Sequence, residues 1–350
     1  MSKLSEDARI DPRLKAVFGT MATLGGRNVS SREELLARAH SERAIAGRAA
    51  LAAFMERADT EEIAPSAGLS VTVEQFESQP DGNTIKVRFV RPEGAERVGC
   101  VYYIHGGGMA TMSAFDGNYR AWARMIAARG VAVAMVDFRN AVAASSAPEV
   151  APYPAGLNDC VSGVEWLVDN ADRLGIDASR IIVAGESGGG NLTLATGMRL
   201  LREGKASLIA GLYALCPYIA GRWPHPDCPS SVDNNEILLN LHDNTGAMGY
   251  GIEAFEAGDP LAWPGFATEA DVAGLPPTFI SVNECDPLRD EGVNFYRLLL
   301  RAGVPAGCRE VKGTVHGTEI FPMACPDISR ETASSIAAMC QGHTLWAAGD

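Results

Sequence analysis

Clustered positive charge is missing from this chain. Its 350 residues carry 30 Lys and Arg against 43 Asp and Glu, a formal net charge of −13, and no run is rich in Lys or Arg. Phosphate binding needs clustered cations, so the composition argues against a nucleic-acid partner. No apolar run approaches membrane-spanning length, which argues against a transmembrane helix. The opening residues Met1-Ser2-Lys3-Leu4-Ser5-Glu6-Asp7 are polar and acidic and lack the apolar core of a secretory signal, so a cytoplasmic location is expected. The eight cysteines (Cys100, Cys160, Cys216, Cys228, Cys285, Cys308, Cys325 and Cys340) are scattered, with no C-x-x-C pair. Neither a zinc site nor a disulfide framework is indicated, and the thiols are expected to be reduced and mostly buried. Internal repeats and low-complexity tracts are also missing.

What is present is an ordinary globular balance, 47% hydrophobic and 21% charged, in a length usual for one large α/β domain with a lid. Residues 1–60 read as helical. Ser31-Arg32-Glu33-Glu34 fits a capping box, and an Ala/Leu/Arg-rich stretch follows to about Arg57. Leu35, Leu36, Ala39, Ala46, Ala50 and Phe54 fall close to one helical stripe, which must be buried against something. From Ser70 the period changes. Val71-Thr72-Val73 and Ile85-Lys86-Val87-Arg88-Phe89-Val90 alternate as half-buried strands around a Pro80-Asp81-Gly82-Asn83 turn. Apolar strands at 101–104, 131–136, 181–184, 208–215, 278–282 and 308–311 then alternate with helical stretches, which implies a mostly parallel sheet covered on both faces. Residues 217–275 break this rhythm with Pro, Asp, Asn and Trp, as lids and substrate loops do. The expected organisation is therefore a helical part of a cap at 1–60, a catalytic domain at 61–216 and 276–350, and a cap insertion at 217–275.

The chemistry is concentrated in Gly185-Glu186-Ser187-Gly188-Gly189, between an apolar strand and a helical run. A serine on such a strand-turn-helix corner is the nucleophile elbow of an α/β-hydrolase. The corner crowds strand against helix and strains the backbone, so its flanks must lack bulk. A serine needs a base to take its proton, an acid to orient the base, and donors for an oxyanion. The donors are expected after an early strand, where the chain reads His105-Gly106-Gly107-Gly108-Met109. Glycines leave backbone N–H groups unshielded. A phosphate-binding loop would look similar, but the Gly-Lys-Ser/Thr ending is absent. Gly188, directly after the serine, is expected to add a further N–H to those of this loop.

Triad order in this fold is Ser, then acid, then His. Asp286 sits just past the strand at 278–282, with Pro287 fixing the turn. Glu284, Asp290 and Glu291 are its rivals, but solvated acids at a helix start are their commoner role. Only His316 and His343 follow; His316 lies in a loop after the last strand, and His343 lies near the tail. His40, His225 and His242 precede the acid, although His225 or His242 could line a pocket.

These stretches together resemble the hormone-sensitive-lipase-like family of α/β-hydrolase esterases. The resemblance covers about residues 70–350, and the helical N-terminus is similar to that family's cap. It implies a serine carboxylesterase with Ser187 as nucleophile, Asp286 as orienting acid, His316 as base and Gly107, Gly108 and Gly188 as oxyanion donors, without metal or cofactor. Glu186 and Gly188 depart from the more usual Asp and Ala of the wider family. The substrate expected is a small neutral ester, since an acidic surface does not attract anions, with short or medium acyl groups implied by the two-part cap. A lactonase, a macrolide-ester hydrolase or an acyltransferase would use the same residues. A non-catalytic receptor on this fold is expected to lose a triad member, and all three are kept. The resemblance leaves a homodimer open.

Overall fold

A computed structural model describes residues 2–343. Eight strands form one sheet: β1 (Leu69–Glu77), β2 (Thr84–Pro92), β3 (Val98–Ile104), β4 (Ala132–Val136), β5 (Ile176–Glu186), β6 (Gly211–Leu215), β7 (Thr278–Asn283) and β8 (Ala306–Val311). Their spatial order is β1-β2-β4-β3-β5-β6-β7-β8. β2 is antiparallel to both β1 and β4, and every other neighbouring pair is parallel. The β1–β2 hairpin closes where expected, with the Ser78 N–H donating to the Asn83 carbonyl at 2.8 Å.

Strand alternation divides the interior in two, because successive side chains point to opposite faces. Cys100, Tyr102 and Ile104 of β3 pack on one side with Leu157 and Val164 of the helix Ala155–Asp169 and Leu192 and Met198 of the helix Gly188–Arg202. Val101 and Tyr103 point the other way, onto Trp122 and Ile126 of the helix Gly117–Ala127 and Ile336 of the helix Pro326–Cys340. Central strands buried on both faces explain their continuous apolar reading.

The N-terminal region departs from a single helical stripe. Four helices occupy it: Lys3–Glu6, Pro12–Phe18, Arg32–Ala39 and Glu42–Met55. Ser31 caps the third, its hydroxyl accepting from Glu34 N–H, but the Glu34 carboxylate reaches back to Ser30 rather than to Ser31. The stripe breaks at His40, where Ser41 starts a new helix by accepting from Ala44 N–H. Ala46 and Ala50 are consequently exposed, while Leu35, Leu36 and Ala39 pack on the core. Between helices, the extended segment 24–29 pairs with residues 238–245. Leu24 N–H donates to Leu238 O at 2.8 Å, Asn240 N–H to Leu24 O at 2.7 Å and Gly26 N–H to the Asp243 carboxylate at 2.9 Å. A side chain at Gly25 would lie 2.5 Å from the Asn240 carbonyl oxygen, so the close approach requires glycine there. One strand also starts later than the sequence suggested. Ala206–Leu208 is a 3-10 turn and β6 begins at Gly211.

Candidate active site

Ser187 occupies the corner between β5 and the helix Gly188–Arg202, at φ 57° and ψ −120°. A non-glycine residue there is strained, and the surroundings hold it. Ser187 N–H donates to Leu215 O at 2.9 Å, and its carbonyl accepts from Tyr218 and Asn191 N–H, each at 3.0 Å. The flanking glycines are forced by contact. A side chain at Gly189 would lie 2.0 Å from the Ile104 carbonyl oxygen, and one at Gly185 would lie 2.5 Å from that of Gly189.

His316 bridges the serine and the acid. Its Nε2 lies 2.8 Å from Ser187 Oγ and its Nδ1 lies 2.8 Å from Asp286 Oδ2. Asp286 is fully buried in the turn after β7, and its other oxygen accepts from Leu288 N–H at 2.9 Å. The two loops are tied together by Cys285 N–H donating to Thr314 O at 2.9 Å. Burial opposes a positive charge on the His316 ring. The Asp286 carboxylate, with Cys216 adding to it, outweighs this and lifts the pKa well above that of ordinary imidazole.

The glycine loop arches over the elbow. Gly107, Gly108 and Met109 all have positive φ, at 89°, 64° and 57°, the backbone region that glycine enters without steric cost. The loop rests on Gly188, where a side chain would come within 2.7 Å of the Gly108 nitrogen. Among the described residues, the N–H groups of Gly107, Gly108 and Gly188 donate no hydrogen bond within the protein. They are free to take an acceptor from outside.

The rivals lie elsewhere. Glu284 accepts from Gly313 N–H at 2.8 Å, and Asp290 accepts from Ser230 N–H at 2.7 Å. Glu291 corrects the expectation of a solvated acid. It is buried, it accepts from Ala220 N–H at 2.8 Å, and burial pushes its pKa well up. His40, His242 and His343 are exposed, and His225 lines a separate pocket of about 200 Å³. None of the four lines the cavity at Ser187.

Two neighbours of the site have roles that the sequence did not reveal. Glu186, the residue before the serine, is buried and takes three donors: Tyr103 OH at 2.6 Å, Gly106 N–H at 2.7 Å and Tyr119 OH. Burial raises its pKa to about 7, against the pull of these donors. It thereby ties the elbow to the first glycine of the loop. An acidic residue closing the otherwise apolar run Ile181-Ile182-Val183-Ala184-Gly185 was the available signal. Cys216 follows β6, with its thiol raised to about 11 by burial. Its sulfur and single atoms of Asp286 and His316 all lie within 4.8 Å of one another. That set has the chemistry of metal ligands, but both His316 nitrogens are already engaged, by Asp286 and by Ser187. The side chains of the triad form one hydrogen-bonded chain from Asp286 through His316 to Ser187.

A cavity of about 490 Å³ opens on Ser187 and His316. Phe18, Phe54 and Phe321 form an aromatic wall, with Phe18 and Phe321 edge-to-face at 5.2 Å. Asn240, Asp243 and Thr245 form a more polar side.

An elbow serine beneath a loop of free N–H groups, on this sheet, defines the α/β-hydrolase class. Residues 101–320 match the alpha/beta hydrolase fold family. Carboxylesterase NlhH of Mycobacterium tuberculosis (strain ATCC 25618 / H37Rv) is 32% identical over 242 residues, which is 68% of this chain and 72% of that protein. Among solved structures, esterase Est22 is 67% identical with a TM-score of 0.96, covering 97% of this chain and 99% of its own. Brefeldin A esterase, a bacterial homologue of human hormone-sensitive lipase, is 34% identical with a TM-score of 0.83, covering 96% and 94%. The chain belongs to the alpha/beta hydrolase family, in its hormone-sensitive-lipase-like branch, and is a carboxylic ester hydrolase.

Proposed function

We propose that the protein is a serine carboxylesterase acting on neutral esters of short to medium acyl chains through an acyl-enzyme. His316 takes the Ser187 proton as the hydroxyl attacks the ester carbonyl. Asp286 orients the ring and balances the imidazolium. The N–H groups of Gly107, Gly108 and Gly188 hold the oxyanion, each contributing about 10²–10³ in rate. His316 then protonates the leaving alcohol, and the same ring activates the water that releases the acid. The observation that carries this reading is the 2.8 Å contact on each side of His316, with Ser187 and His316 both opening on one cavity and Asp286 buried behind them. The neighbouring Est22 structure with p-nitrophenol supports a pocket able to take an aryl leaving group.

Residues 1–60 and 217–275 act as the two parts of a cap. Supporting this, Phe18, Leu24 and Phe54 from the first and Leu239, Asn240 and Thr245 from the second line the cavity. A thiol-rich, cysteine-scattered composition supports a cytoplasmic location.

Hydrolysis of p-nitrophenyl esters from acetate to dodecanoate by the wild type and Ser187→Ala tests the reading. Activity greatest on short chains and lost in the variant supports it. A folded wild type inactive on every ester, or a variant that keeps its rate, overturns it.

A further inference from the structure

Met112 is one of six non-glycine residues with positive φ among the described residues, at 75°. Strain of that kind is held only where the surroundings enforce it, and it clusters at functional places. Here the enforcement is visible. Asn140 donates to the Met112 carbonyl at 2.8 Å, and the Met112 side chain packs against Gly107, its Cγ 3.0 Å from where a side chain at Gly107 would begin.

Met112 also lies between two spaces. On one side is the cavity at Ser187. On the other is a second chamber of about 700 Å³, open to solvent and lined among others by Ala52 of the cap helix, Val73 of β1, Phe115, Ala144, Arg48 and Lys86. Each volume is within the roughly 300–1,000 Å³ typical of small-molecule sites. Four residues line both: Leu51 and Met55 from the helix Glu42–Met55, and Thr111 and Met112 from the glycine loop. The wall is therefore one side chain thick, and its loop half is strained.

We propose that Met112 is the partition that sets the acyl-length limit of this esterase, and that the chamber behind it is a latent subsite for the distal part of a long, uncharged acyl chain. The inference rests on the esterase reading above. The chamber's lining is mostly apolar, with Ser113, Asp116, Ser145 and Ser146 as its polar part, so it suits methylenes along its apolar side, and the thioether is flexible enough to give way in part. Replacing Met112 by glycine removes the partition and at the same time relieves the backbone, because glycine adopts positive φ without cost.

The test is kcat/KM on p-nitrophenyl butyrate and p-nitrophenyl dodecanoate for the wild type, Met112→Gly and the double variant Met112→Gly with Ala144→Trp. The dodecanoate-to-butyrate ratio is expected to rise about tenfold in Met112→Gly, the yield of burying roughly two further methylenes. Tryptophan at 144 refills the chamber and is expected to return the ratio to the wild-type value. A ratio unmoved in Met112→Gly overturns the proposal, as does a rise that the second substitution leaves intact. Should Met112→Gly lose butyrate activity altogether, Leu51→Ala opens the same wall from the helix side and is read by the same ratio. Wild-type hydrolysis abolished by Ser187→Ala keeps the esterase reading standing whichever way the ratio falls.

Discussion

Replacing Glu186 by glutamine removes a charge and almost no volume. The side chain is buried and takes donors from Tyr103, Tyr119 and Gly106. Burial lifts its pKa from the ordinary 4.5 to about 7. A carboxyl that holds its proton more tightly folded than unfolded adds stability that is full below the unfolded value and lost as pH rises through the folded one. Between about pH 5 and pH 8 this group alone withdraws on the order of 2–3 kcal/mol from the wild type. Glutamine never ionises, so the variant lacks that loss. Urea unfolding of both proteins at the two pH values, followed by tryptophan fluorescence, measures it. The wild type is expected to lose stability relative to Glu186→Gln by about that amount. Parallel behaviour of the two proteins would refute the argument. Activity separates the second role. Glutamine still offers an oxygen to Gly106 N–H, so the loop keeps its anchor. Glu186→Ala leaves the two tyrosine hydroxyls short of an acceptor and the Gly106 N–H held by Tyr119 OH alone, at 2.9 Å, and kcat is expected to fall by about 10², the cost of one misplaced oxyanion donor.

Two other outcomes follow from the site. The acid limb of kcat/KM is expected to have its midpoint above 6.5, because the Asp286 carboxylate beside His316 raises its pKa and the protonated ring cannot act as base. A profile on p-nitrophenyl butyrate with a midpoint at or below that value would count against the pairing. Gly189→Ala places a methyl 2.0 Å from the Ile104 carbonyl oxygen and 2.6 Å from that of His105, so strand and helix must part. A loss of about 3 kcal/mol or more is expected in urea unfolding, and a near-neutral change would show that the elbow tolerates bulk.

The glycine and serine spacing around Ser187, the glycine loop after β3 and the order Ser187, Asp286, His316 were legible in the chain because they are local. Each is a backbone corner or a loop that follows a strand, and the parallel sheet brings the ends of those strands to one edge. The strands were legible too: alternation marked the half-buried β1 and β2, and burial on both faces left the central strands as continuous apolar runs. What the tertiary structure decided is everything set by long-range contact. Residues 24–29 could be known as an extended partner of 238–245 only once the insertion folded over them, because glycines report freedom and not a partner. Glu291 reads as a helix-start acid in sequence and is a buried anchor for Ile219 and Ala220 in space. Glu186 looks like a variant elbow residue until Tyr103 and Tyr119, far away in the chain, close on it. Met112 carries no sequence signal at all, because its strain and its two flanking spaces exist only when the cap helix lies against the loop. Local sterics and periodicity are written in the chain; burial, and the shift in pKa or backbone strain that burial imposes, belongs to the packed whole.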